Sequence, residues 1–136
     1  MPSEMPLGRV DLDEVVEVLR DAGAVFAYLH GSAASGTGRS DSDVDVAAYF
    51  DGRDPAPWTI RVPGLVDVAV LDSAPLELAG RVALHGRLLF DDDPPTRVHW
   101  EATTRKIFLD ERDRAARMTA DLIAGAREAV SRRGHG

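Results

Sequence analysis

Apolar residues recur at Leu12, Val15, Val16 and Leu19 with the period of a helix, behind an aspartate at 11 or 13 placed to cap it. A packing helix is therefore predicted up to Gly23. Two short apolar runs follow, residues 24–29 and 44–50, and a third, 65–71, is interrupted by one acid, Asp67. All three are rich in β-branched, aromatic or small apolar residues and flanked by Gly, Ser and Pro, so they are predicted strands. The Gly- and Pro-rich stretch 51–64 is a loop with room for a short strand at 58–62. Asp72-Ser73-Ala74-Pro75 is a helix-start signal, and Leu76, Leu78, Ala79, Val82 and Ala83 form the buried stripe of a helix ending near Gly86. Residues 87–90 make a short strand.

Beyond Pro95 the chain has no proline and, to residue 132, a single glycine. This segment, 95–132, is predicted as one long helix or two with a break at 109–111. Val98, Ala102, Ile107 and Phe108 form one apolar patch. Ala115, Met118, Leu122, Ile123, Ala126 and Val130 form a cleaner stripe, which extends past what a small sheet can cover. It is expected to meet a partner or a second copy, as a hetero-oligomer or a homo-oligomer.

A length of 136 residues allows one domain, 1–136, with residues 1–10 as a mobile leader. The net charge of −7 excludes a broad basic surface for an extended nucleic acid. With no cysteine there is neither disulfide nor thiolate metal site, and no apolar run is long enough to cross a membrane. The expected location is the cytoplasm.

The chemistry is concentrated between residues 24 and 50. Side chains alternate faces along a strand, so Asp43 and Asp45 point one way while Val44 and Val46 point into a core. Two carboxylates on one face repel unless solvated or bridged by a hard cation such as Mg²⁺, which prefers oxygen donors. Gly31-Ser32, after the first strand, offers backbone N–H groups and a hydroxyl to an anion, and Ser32 is expected to start a short helix over 32–35. Asp67, alone in an apolar run, is a costly charge unless coordinated and is the third candidate ligand. Asp41 is assigned to capping or solvent, His30 has no catalytic role, and Asp91-Asp92-Asp93 is a solvated start to the last helix. Trp58 and Arg61 line a base or phosphate pocket, or Trp58 covers the sheet edge; both readings stand.

Gly31-Ser32, ten intervening residues, Asp43-x-Asp45 and a later lone Asp67 together resemble the signature of the nucleotidyltransferase superfamily, the DNA polymerase β-like enzymes. The small size and the segment after Asp67 resemble the minimal nucleotidyltransferases (MNT), antitoxin partners of HEPN toxins. The resemblance implies an α/β (α+β) nucleotidyltransferase fold, a small mixed sheet flanked by helices with a long helical C-terminal segment. It implies transfer of AMP from ATP to a hydroxyl, a tyrosine of a cognate HEPN toxin. Asp43, Asp45 and Asp67 would be catalytic and hold two Mg²⁺ ions, with Gly31 and Ser32 on the triphosphate. Family members often carry arginines directly after the Gly-Ser pair; Ala33 and Ser35 stand there in this chain, and Arg39 is the nearest cation to bind the nucleotide. Two other readings remain: an antitoxin that neutralises by binding alone, and a small-molecule (aminoglycoside-type) nucleotidyltransferase, for which Glu101 would be the extra carboxylate.

Overall fold

A computed structural model describes residues 10–31 and 44–134. The leader at 1–9, Ser32 and its short helix, Arg39, Asp41 and Asp43 lie outside the described residues. Val10, assigned above to the leader, is buried in the core and forms a β-bridge.

The first helix, α1 (Leu12–Asp21), is capped by Asp11, whose carboxylate accepts from the backbone N–H groups of Asp13 and Glu14. It ends at Gly23, which holds φ at +104°. Four strands follow in one sheet: β1 (Phe26–His30), β2 (Val44–Tyr49), β3 (Val66–Val70) and β4 (Arg87–Asp91), in the order β3-β2-β1-β4. β1 runs antiparallel to both β2 and β4, whereas β2 and β3 are parallel, so the sheet is mixed. The crossover between the parallel strands contains a 3-10 turn, Pro57–Thr59, in the stretch read as a loop with room for a short strand. Three prolines and two glycines break any ladder there. Trp58, in that turn, is 83% exposed.

Alternation along the strands sorts the core into two layers. On one face Ala27, Leu29, Val44, Val46, Ala48 and Phe90 pack with Val15 and Leu19 of α1. On the other, Phe26, Tyr28 and Ala47 pack with Val82 of α2 (Leu76–His85) and with Trp100 of α3 (Pro94–Gly134). Trp100 stands 5.7 Å from both Phe26 and Tyr28, ring centre to ring centre, and 6.2 Å from Tyr49, closing an aromatic cluster over the sheet. Asp72 does not cap α2; its carboxylate accepts from the N–H groups of Phe50 and Gly52, both at 2.8 Å, and fixes the turn after β2.

The last segment is one unbroken 41-residue helix, α3. Its buried positions are Thr104 and Phe108, with Trp100 partly buried, an i, i+4, i+8 row; Val98 and Ile107, expected in the docked patch, are exposed. Gly80 of α2 leaves the space that the Phe108 ring occupies. The three aspartates before α3 are not simply solvated. Asp91 accepts from Arg97 Nε at 2.6 Å, Asp92 takes a two-pronged contact from Arg20, and Asp93 caps the helix through Thr96.

Candidate active site

β2 starts with Val44 and Val46 in the α1-side core, which turns Asp45 to the opposite face, half-buried. In the parallel ladder Asp45 is the register partner of Asp67, and on its other side, across β1, it is the partner of His30. Partners in a ladder project to the same side, so His30, Asp45 and Asp67 form a row across three strands on the α2/α3 face. Asp67 is exposed, because β3 is an edge strand. Its charge is therefore solvated and does not bear the burial cost that the apolar run had suggested.

Gly31 follows His30 directly, with φ at +67°. A Cβ added there would stand 2.9 Å from Oδ2 of Asp45, so the turn lies against the carboxylate and only glycine fits it. Burial pushes the His30 imidazole below its ordinary pKa, and the neighbouring Asp45 charge opposes that shift.

Two carboxylates side by side repel, and among the described residues neither has a basic ion-pair partner. All-oxygen donors in this arrangement suit a hard divalent ion, which often takes only one or two protein carboxylates and completes its shell with water and substrate phosphates. Among the described residues no cluster of three potential ligands is assembled. Asp43, two residues before Asp45, is outside them.

Glu101 is already committed. Its Oε2 accepts from the Tyr28 hydroxyl at 2.6 Å and its Oε1 from Arg97 at 3.2 Å, with Arg105 at 3.4 Å. A carboxylate with three partners is a bolt between sheet and helix, unsuited to the catalytic role that a small-molecule nucleotidyltransferase would need from it. Sequence reading also missed the cleft beside Gly31, about 680 Å³, whose walls include Arg81 and His85 of α2 and Phe108 and Arg112 of α3. No local motif marks it, since its two helices meet there only after folding.

Residues 13–95 match the family model described as polymerase beta, nucleotidyltransferase. The chain belongs to the polymerase beta nucleotidyltransferase family. Its fold is that of a nucleotidyltransferase, and its chemistry is nucleotidyl transfer. The structure is similar to a toxin-antitoxin crystal structure with AMP-PNP, at a TM-score of 0.70 and 21% identity over 84% of this chain and 99% of that one. It is also similar to the toxin-antitoxin MntA-HepT, at 0.62 and 19% over 82% and 96% of the two chains. A third likeness is to a tri-AMPylated Shewanella oneidensis HEPN toxin in complex with MNT antitoxin, at 0.63 and 19% over 82% and 95%. At these identities the likeness is one of fold. No curated protein matches the chain in sequence.

Proposed function

We propose that this nucleotidyltransferase transfers AMP from ATP to a tyrosine hydroxyl of a cognate HEPN-type toxin, in the cytoplasm, and so acts as the antitoxin of the pair. The observation that carries the reading is the in-register placement of Asp45 and Asp67 on adjacent parallel strands, with Gly31 packed against the first. The neighbours with AMP-PNP and with a tri-AMPylated toxin support the nucleotide and the acceptor class.

In this reading the acceptor oxygen attacks the α-phosphorus, the bond from that phosphorus to the bridging oxygen breaks, and pyrophosphate leaves. Asp67, exposed at the sheet edge where a protein substrate can approach, accepts the hydroxyl proton. Asp45 with Asp43 and Asp67 would hold Mg²⁺, which supplies Lewis acidity to the attacking and leaving oxygens. Gly31 with Ser32 would offer N–H groups to the β and γ phosphates, and Arg39 would add positive charge. The exposed stripe of α3, Met118 to Val130, is the surface for the toxin or for a second copy.

The test is a mass measurement on the partner protein that co-purifies with the chain, after incubation with ATP and Mg²⁺. Whole AMP increments are expected, lost in Asp45→Asn and Asp67→Asn with complex formation retained. Neutralisation of the partner at unchanged mass would favour an antitoxin that works by contact alone.

A further inference from the structure

The cleft beside Gly31 has a volume of about 680 Å³, the size of sites that take nucleotide-sized ligands. Its lining includes His30, which shares the row with Asp45 and Asp67, and the adjacent Gly31, and Leu78 and Phe108 supply apolar wall. Among the described residues the rim is cationic, in a chain whose formal charge is −7: Arg81 and Arg112 line it against one acid, Glu77, with two histidines besides. Glu77 is bound to Arg81 at 2.8 Å, which leaves Arg112 as the uncompensated cation. Its guanidinium lies 5.6 Å from the centre of the Phe108 ring, and among the described residues it has no carboxylate partner. An arginine held on an aromatic face in the lining of a cleft, with no carboxylate on its N–H groups among the described residues, is suited to a phosphate polyanion that can accept both prongs of its fork.

We propose that the triphosphate of the incoming nucleotide lies in this cleft, gripped by Arg112 of α3 with Arg81 of α2 as a second cation. This deepens the nucleotidyltransferase reading and rests on it. Arg112 would then be a binding residue contributed by the long helix, so that this helix has a part in the site as well as in the interface. Arg81 would exchange its Glu77 contact for phosphate, while Arg112 has no carboxylate contact to give up among the described residues.

Calorimetric titration of the full-length chain with ATP and with AMP, each with Mg²⁺, separates the possibilities. Arg112→Gln is expected to weaken ATP about tenfold, the size of one charge-assisted contact at a solvated cation, and to leave AMP within about twofold. Arg112→Lys should fall between the two, because it keeps the charge and loses the fork. Arg81→Gln should give a smaller loss in the same direction. Both side chains are exposed, so thermal melts of the variants should overlay the parent. Equal ATP affinity in Arg112→Gln and the parent, or an equal loss for ATP and AMP, overturns the assignment while leaving the nucleotidyltransferase reading intact. A parent chain that binds no ATP with Mg²⁺ removes both.

Discussion

The backbone of Gly31 and the carboxylate of Asp45 are so close that a single added carbon would stand 2.9 Å from Oδ2. Gly31→Ala combines that collision with a left-handed φ, which costs about 1–2 kcal/mol for an L residue. The larger expected effect is on chemistry, since the carboxylate must swing away from its place in the row. Transfer should fall at least about tenfold more than the stability loss explains, as a shift of 1 Å in a reacting group can cost on the order of 100-fold. Initial rates of pyrophosphate release, set beside urea melts, measure both.

Glu101 joins β1 to α3 through Tyr28 and Arg97. Glu101→Ala strands a part-buried hydroxyl and a guanidinium and should cost about 2–4 kcal/mol in chemical denaturation, whereas Glu101→Gln keeps one acceptor and should cost less. Burial first, and the contact with Glu101 second, push the Tyr28 phenol above its ordinary pKa. For an acid raised in the folded state the stabilising contribution is complete below the unfolded value and is lost as pH rises. Stability should therefore decline above about pH 10, with a shallower decline in Tyr28→Phe, visible as the pH dependence of the melting temperature.

Gly80→Ala tests the docking of α3 on α2. A methyl group would overlap the Phe108 ring, and overpacking of this kind costs about 1–3 kcal/mol. Alanine's better helix propensity returns at most about 1 kcal/mol. Net destabilisation by urea melt is expected, relieved in the double variant with Phe108→Leu.

Asp92 is held below the usual carboxylate range, mainly by its hydrogen bond from Arg20. A depressed carboxylate stabilises above its unfolded pKa and ceases to do so as pH falls through its folded one. The difference in melting temperature between the parent and Asp92→Asn should thus be present at pH 6 and shrink as pH falls below the unfolded carboxylate's value of about 3.9. It should also shrink in high salt, because the pair is exposed.

All of α3 past Phe108 is exposed. A chain shortened to end at Ala115 should melt within a few degrees of the parent, since it loses few buried contacts, yet fail to hold its partner in size-exclusion chromatography.

Sequence pattern located α1 to α3 and β1 to β4, because alternation at Val44, Asp45 and Val46 and the i, i+3, i+4 spacing of α1 are local signals. The places where it failed depend on distant residues. Asp67 looked like a buried charge until the parallel pairing put β3 at the sheet edge. Trp100 showed no stripe of its own and is buried only because Phe26, Tyr28 and Tyr49 offer it a surface. Asp72 and Glu101 each found partners at least 20 residues away. For the candidate site, spacing proposed Asp45, Asp67 and Gly31, which the fold sets side by side; it gave no hint of Arg112, which approaches from the opposite end of the sequence.

The unbroken helix that leaves the body at Phe108 fixes a distance. From Arg112 to Val130 is about 27 Å at 1.5 Å per residue. On the proposed function, a toxin seated on the far turns would be held on a ruler whose zero mark is the cleft. If the proposed transfer holds, only hydroxyls that this span brings back to Asp67 would be modified, so helix length would select which acceptor receives the nucleotide.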